Sequence, residues 1–123
     1  MNIGLSFTAT TTVNQNNTAK ALGSGDMDVF ATPAMVALME NAAMTAVASH
    51  LEAGQTTVGT QITTSHIKAS ALGATISATA TLTAVDGRSL TFAITAREGD
   101  KVIGEGTHTR FIVDRERFLA KLK

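Results

Sequence analysis

A strict alternation of apolar and hydroxyl-bearing residues over positions 72–84 is the feature that most constrains how this chain can fold. Every even position there is apolar and most odd positions are Thr or Ser, which is the period-two pattern of a strand with one buried face. Asp86-Gly87 then marks a turn, and a second segment repeats the pattern at Leu90, Phe92, Ile94 and Ala96. The alternation predicts two long antiparallel strands at the centre of the fold.

The turn residues predict the register of two hairpins. A three-residue loop, Val85 to Gly87 with Gly87 left-handed, keeps both apolar sets on one face and pairs Leu82 with Leu90 and Ala80 with Phe92. Glu98-Gly99-Asp100 marks the second hairpin. The same reasoning there places Phe92 opposite Gly104 and Leu90 opposite Gly106.

One long helix is predicted from Thr32. Thr32 suits the N-cap, Pro33 suits the first helical position, and Gly54 ends the helix. Between them, helical spacing relates Met35, Leu38, Met39, Ala42, Ala43, Ala46, Val47 and Leu51. The predicted helix has about five turns and is about 30 Å long.

The remaining segments complete an α+β chain of order β-α-β-β-β-β. Residues 4–13 alternate like a strand, which must reach an edge of the same sheet, and residues 14–28 form a polar loop. Asp114 can cap a short C-terminal helix. No linker or repeat divides the chain, so we expect residues 1–123 to form a single domain.

The composition argues against several classes of function and partner. Ten basic residues balance ten acidic ones, which argues against nucleic-acid or anionic-membrane partners. The chain has no cysteine, no long apolar run and no visible secretion signal, so a cytoplasmic location is expected. The 20 Ala and 20 Thr give a core of small residues that buries little area per side chain. Such a chain gains from sharing a core or a sheet edge with a partner, which favours an oligomer.

Glu40 and His66 are the first candidates for chemistry. Glu40 lies in the middle of the helix at the border of its apolar stripe, where it is either a solvated flank residue or a partly buried base. His66 shares a predicted strand face with Val58 and Ile62, toward the helix. It is either bonded to a backbone carbonyl or paired with Glu40 for acid–base work.

Two further residues extend this group. The Thr32 hydroxyl stands beside a helix N-terminus, which stabilises developing negative charge, although capping alone explains a Thr there. Gly59 is either an ordinary strand glycine or a point of close ligand approach. His50 and His108 are expected to be structural, and three scattered histidines show no metal-ligand spacing. Nucleotide-cradling glycine motifs are also lacking, so we expect no cofactor.

Three segments resemble a known family. VFATPAMVALMENA at 29–42, TVGTQITTSHIKAS at 57–70 and IGEGTHTRFIVDRERF at 103–118 are similar, in this order, to the hot-dog-fold thioesterases related to fluoroacetyl-CoA thioesterase. The resemblance implies a catalytic Thr32, a Glu40 eight residues later and a His66 26 residues after that, with Gly59 as the active-site glycine. It also implies a long helix wrapped by a five-stranded antiparallel sheet, dimerised edge to edge with the active site at the interface.

The resemblance implies hydrolysis of a short-chain acyl-CoA thioester, with a non-catalytic acyl-CoA or small-ligand binding dimer as the alternative. Phe30, Gly59 and Lys68 are predicted to contact the substrate. Arg110, Arg115 and Lys121 are further candidates for the CoA phosphates. The fluoroacetyl-specific enzyme carries a phenylalanine-bearing lid before the helix, whereas residues 14–29 here contain no aromatic residue. We therefore expect a general short-chain thioesterase rather than one selective for fluorinated substrates.

Overall fold

A five-stranded antiparallel sheet with one long helix on its inner face accounts for most of the chain, as described by a computed structural model of residues 1–123. The strand order is β1-β3-β4-β5-β2. Along the chain the elements are β1 (Ser6–Thr12), α1 (Ala19–Leu22), α2 (Thr32–Ala48), β2 (Gln55–Thr64), β3 (Thr75–Asp86), β4 (Ser89–Glu98), β5 (Lys101–Asp114) and α3 (Arg115–Ala120). The predicted element order is confirmed, with β1 at one edge as expected. The short helix α1 lies within the segment predicted to be a loop.

The N-cap of helix α2 lies one residue earlier in the chain than predicted. Ala31 occupies the N-cap without a side-chain hydrogen bond, and Thr32 is the first helical residue. The prediction of Thr32 as N-cap is therefore wrong, and its hydroxyl is free for another partner. The helix ends at Ala48 rather than near Gly54, so its 17 residues span about 26 Å.

The core lies between α2 and the inner face of β3 and β4. The fully buried helix residues are small or flexible: Met35, Met39, Ala42, Ala43, Ala46 and Val47. They meet the alternating residues predicted from sequence: Ile76, Ala78, Ala80 and Leu82 on β3, and Leu90, Phe92, Ile94 and Ala96 on β4. Leu72 and Ala84, at the two ends of the alternation, are exposed instead.

The register of the first hairpin differs from the prediction. Asp86 pairs with Ser89 across a two-residue turn, and Gly87 is left-handed as expected (φ 60°). A bulge between Leu82 and Ala84 then inserts one extra residue, so Leu82 pairs with Phe92 and Ala80 with Ile94. The two-residue turn alone would place the two apolar sets on opposite faces of the sheet, and the bulge returns both sets to the same face.

The second hairpin is shifted for the same reason. Glu98 pairs with Lys101, and a register shift between Ala96 and Arg97 lets Ala96 face Gly104 and Ile94 face Gly106. Phe92 faces His108 and Leu90 faces Arg110, so the predicted pairings with the two glycines are wrong. Gly104 is required mainly by the segment after β2, since an added Cβ would strike the Ser65 carbonyl oxygen and would also lie 2.9 Å from Met35 Sδ.

The C-terminal end of β5 leads into the predicted short helix. Asp114 caps α3, and its carboxylate accepts a hydrogen bond from the Arg117 backbone N–H at 3.0 Å. None of the helices is both long and apolar enough to cross a lipid bilayer.

Candidate functional site

A bulge in β2 determines which of its side chains face the helix. Gly59 pairs with Arg110 and Gln61 with Thr109, which leaves Thr60 as an extra residue. Before the bulge the odd residues point inward, and after it the even residues do, with Ile62 packed against the core. The inward orientation predicted for Ile62 and His66 is therefore confirmed. The prediction for Val58 is wrong, because the buried residue at that end is Thr57.

Thr32 and His66 form a hydrogen-bonded pair where α2 begins. The Thr32 Oγ1 and the His66 Nδ1 lie 2.7 Å apart, and His66 lies two residues beyond the end of β2. The other ring nitrogen, Nε2, is buried with no hydrogen-bond partner. Burial lowers the pKa of His66, and the backbone of Lys68 opposes this to a smaller extent. A neutral imidazole is thus joined to a hydroxyl that stands beside the helix N-terminus.

Phe30 supports this imidazole rather than standing open to a ligand. Its side chain is 2 % exposed, and its ring meets that of His66 edge to face at a centroid distance of 6.5 Å. Lys68, two residues after His66, is exposed and forms no ion pair. Of the three residues predicted to contact substrate, Lys68 and Gly59 remain accessible and Phe30 lies behind His66.

Glu40 belongs to a second cluster. An open cleft of about 290 Å³ is lined by Glu40, His108 and the bulged part of β2 from Gly59 to Ile62. The Glu40 side chain is 43 % exposed, and its Oε2 lies 3.7 Å from Arg110 Nη1. A Cβ added to Gly59 would be 2.9 Å from Glu40 Oε2 and 3.1 Å from His108 Cε1. The absent side chain of Gly59 is what gives the carboxylate its place against β2.

Beneath Glu40, Arg110 is held by a buried polar network. Its Nε donates to Thr57 Oγ1 at 2.8 Å, and its Nη2 donates to the Thr57 carbonyl at 2.9 Å. Its Nη1 lies 3.1 Å from His108 Nε2, and His108 Nδ1 lies 2.7 Å from the Gln61 carbonyl. Arg110 is therefore unavailable to CoA phosphates, which corrects that prediction.

His108 and Arg110 are the residues that sequence reasoning missed as parts of this cluster. They stand two apart on β5, so they share one face of the strand, and both are buried. The signal in the sequence was a His and an Arg at successive inward positions of a strand that is otherwise apolar or glycine on that face. This signal can be recognised only when the register of β5 is known, and the bulges in the hairpins make that register unpredictable from the sequence. His50, by contrast, is exposed beyond the end of α2.

The two clusters are separated within one chain. Eight residues of helix place the Thr32 and Glu40 α-carbons about 12 Å apart along the axis. On the strand side, the backbone N–H groups of Ser65 and Ile67 donate to the carbonyls of Glu105 and Ile103, which places His66 beside Gly104. Gly104 lies four residues from His108 on β5, a distance of about 13 Å along the strand. No hydrogen bond or ion pair joins Glu40 to His66. The predicted pairing of these two residues therefore does not occur inside a single chain.

A long helix packed on the inner face of a curled antiparallel sheet defines the hot-dog fold, which here carries a carboxylate on the helix and a histidine after β2. A Thermus thermophilus protein described as a thioesterase superfamily member shares this fold, with a TM-score of 0.90 at 23 % identity over 98 % of this chain and 90 % of its own.

The family is shown by closer matches. The model of the family described as fluoroacetyl-CoA-specific thioesterase matches residues 13–116. The fluoroacetyl-CoA thioesterase of Streptantibioticus cattleyicolor is 43 % identical over 96 residues, covering 78 % of this chain and 69 % of that protein. A solved point mutant of the fluoroacetyl-CoA-specific thioesterase has a TM-score of 0.92 at 38 % identity, covering 99 % and 95 % of the two chains. The chain belongs to this family and is a thioester hydrolase, which confirms the resemblance read from the sequence.

Proposed function

We propose that the chain hydrolyses short-chain acyl-CoA thioesters, with Glu40, Thr32 and His66 as its catalytic residues. The observation that carries the proposal is the pair formed by Thr32 and His66, together with the carboxylate seated over Gly59. A solved relative of this family, described as a complex with fluoroacetate and CoA, is 37 % identical with a TM-score of 0.90 over 96 % of this chain and 99 % of its own.

In the proposed reaction, Glu40 takes a proton from water as the water oxygen bonds to the thioester carbon. Alternatively, the carboxylate itself attacks that carbon, and water then hydrolyses the mixed anhydride that forms. Thr32 and the free N–H groups of the first turn of α2 stabilise the negative charge on the carbonyl oxygen. The carbon–sulfur bond then breaks, and the thiolate takes the proton released from the attacking water, so that Glu40 is again a carboxylate. The neutral His66 donates its Nδ1–H to Thr32, whose hydroxyl in turn donates to the carbonyl oxygen. This role of Thr32 follows from the burial of His66 Nε2, which leaves Nδ1 as the nitrogen that contacts the hydroxyl.

A homodimer completes the site in this proposal. A thioester carbon within reach of Glu40 cannot also touch a Thr–His pair about 12 Å away along the same helix. Both clusters lie along β2, which is an edge strand with no neighbour on its outer side. Antiparallel pairing of β2 with the same strand of a second copy, centred between Ile62 and Thr63, sets Gly59 of one chain opposite the position of His66 in the other.

Each dimer then has two composite sites, each with Glu40 from one subunit and Thr32 with His66 from the other. The twofold axis makes the two sites equivalent. Lys68, exposed just after His66, is proposed to meet the phosphates of CoA at the mouth of the site.

The acyl group is proposed to be short and not restricted to fluorinated acids. No aromatic residue stands between positions 14 and 29, and two large apolar residues of that segment, Leu22 and Met27, are exposed. An open approach of this kind lacks an aromatic wall that could discriminate between acyl groups of similar size. The compartment in which the chain works stays a prediction from sequence.

Thiol release from a panel of acyl-CoA substrates tests the activity, beginning with acetyl-, propionyl- and fluoroacetyl-CoA. Glu40→Gln and His66→Ala are each expected to lower kcat/KM by about 100-fold or more. Binding of the CoA esters by calorimetry without any turnover would instead support the alternative of a non-catalytic binding dimer. Wild-type rates in both variants would refute the mechanism.

Mixing the two inactive variants tests the composite site. In a heterodimer of Glu40→Gln and His66→Ala chains, one site carries both defects and the other carries neither. Random reassortment makes about half the dimers heterodimers, so about a quarter of the wild-type activity returns. Each variant reassorted with itself is the control. If the site lies within one chain, or the protein sediments as a 12.7 kDa monomer, mixing restores nothing and the dimer proposal fails.

A further inference from the structure

The geometry points to His108 as a positioning residue that sets Arg110, and through Arg110 the carboxylate of Glu40. This inference rests on the proposed function, because it assigns a task within the same site. It goes beyond that function by giving a role to a buried histidine that takes no part in the reaction itself.

The hydrogen bonds of His108 define its protonation. The Gln61 carbonyl can only accept, so the Nδ1 that lies 2.7 Å from it carries a hydrogen. Nε2 faces the guanidinium of Arg110 at 3.1 Å, and a guanidinium can only donate. His108 is therefore the neutral tautomer with its hydrogen on Nδ1, and its ring is fixed by a backbone carbonyl of the bulged segment of β2.

The same contacts immobilise Arg110. Thr57 accepts from Nε and from Nη2, and His108 accepts from Nη1, so three nitrogens of the guanidinium each have a buried acceptor. Nη1 also lies 3.7 Å from Glu40 Oε2, which is an ion pair without a direct hydrogen bond. Glu40 is half exposed, whereas the Arg110 side chain is 7 % exposed and hydrogen-bonded, so the fixed cation sets the position toward which the carboxylate is attracted.

Four elements surround His108, and their charges agree with this role. Arg110 is on β5, Glu40 on α2, Gln61 on β2 and Phe92 on β4, whose ring lies 6.4 Å away between centroids. Burial lowers the pKa of His108 most, and the charge of Arg110 lowers it further, while Gln61 and Glu40 act in the opposite sense. A protonated His108 could not accept from Arg110 and would repel it, so the network holds only when the ring is neutral.

His108→Phe tests the inference, because it keeps the ring and its packing on Phe92 while removing both nitrogens. We expect kcat to fall about 10- to 100-fold with KM changed less than about threefold, as for a misplaced catalytic group. Thr107→Val, on the opposite face of β5, is the matched control and should behave as wild type. In a Glu40→Gln background, measured by single turnover, His108→Phe should lower the rate less than about twofold further. An equal loss in both backgrounds would overturn the inference, since it would mean that His108 acts on the fold and not through Glu40.

A readout without catalysis separates this inference from the proposed function. The chain has five arginines, so the side-chain N–H signals of ¹⁵N-arginine protein can be assigned by substitution. Arg110 in the wild type should show resolved Nη signals from restricted rotation, and His108→Phe should average them. If His108→Phe does not fold, Thr57→Val removes another acceptor of Arg110 and should give the same kcat loss and the same averaging. Unchanged Arg110 signals refute the inference even if hydrolysis is observed. If the Arg110 signals are averaged in His108→Phe but the wild type hydrolyses no acyl-CoA, the positioning of Arg110 by His108 is supported and only the proposed function is refuted.

Discussion

Gly59→Ala adds a single methyl group at the point where β2 meets the candidate carboxylate. The new Cβ would lie 2.9 Å from Glu40 Oε2, whereas ordinary contact begins at about 3.4 Å, so one of the two must move by about 0.5 Å. It would also lie 3.1 Å from Cε1 of His108, which is held at both ring nitrogens. The half-exposed carboxylate is the group that can yield, and it moves away from β2.

This displacement has different consequences for activity and for folding. A misplacement of about 1 Å can lower a rate by about 100-fold, so a shift of half that size should lower kcat/KM by about 10-fold. Gly59 has no positive φ, so alanine can adopt its backbone conformation. The entropy gained in the unfolded state, about 0.4–1 kcal/mol, offsets the crowding, and the free energy of unfolding should change by less than about 1 kcal/mol.

The measurement is thiol release with acetyl-CoA, paired with urea unfolding. Gly106→Ala is the matched comparison, because its Cβ would strike the Thr63 carbonyl oxygen and lie 2.8 Å from Thr64 Cβ, which are parts of the neighbouring strand. That variant should lose about 3 kcal/mol or more of stability. A Gly59→Ala protein with wild-type kcat/KM would refute the reasoning, and so would one that loses activity only because it unfolds.

Other perturbations follow from the Thr32–His66 pair and from Lys68. Thr32→Val removes the hydroxyl bonded at 2.7 Å and should lower kcat by about 100-fold, whereas Thr32→Ser should retain most of it, as measured by thiol release. Because the folded-state pKa of His66 lies below its ordinary value of 6.5, this group's contribution to stability is complete above about pH 6.5. As the pH falls toward the lowered pKa of His66, both this contribution to stability and the rate of hydrolysis should decline. Urea unfolding and thiol-release assays across this pH range test the prediction, and flat profiles would contradict it. Lys68→Ala should raise KM for acetyl-CoA several-fold with little change in kcat, and an unchanged KM would exclude Lys68 from phosphate binding.

Much of the fold could be predicted because the apolar pattern has a clear period. The alternation on β3 and β4 and the helical spacing of α2 each have one buried face, and the structure confirms both. The registers could not be predicted, because each depends on a bulge. Threonine and alanine fit either face of a sheet, so an extra residue at Thr83 or Thr60 leaves no trace in the pattern.

The candidate site was predictable as a set of residues but not as a geometry. The positions of Thr32, Glu40, His66 and Gly59 come from motif spacing, and the structure sorts them into a Thr–His pair and a carboxylate over a glycine. Their separation could not be read from sequence, since it depends on how β2 runs beside α2. His108 and Arg110 escaped prediction because their shared face emerges only once β5 is in register with β2. The absence of a cofactor stays a prediction.

The single unpaired residue in β2 has a consequence for anyone who redesigns this strand. Thr60 separates a stretch in which Thr57 and Gly59 look toward the helix from one in which Ile62 and Thr64 do. Deleting it would close the bulge without changing the pairing of Gln61 with Thr109, so Gly59 and His66 would keep their shared face, six positions apart instead of seven. A graft of this active site onto a strand without a bulge must therefore omit one residue between Gly59 and His66, because seven positions of regular strand would place the two on opposite faces.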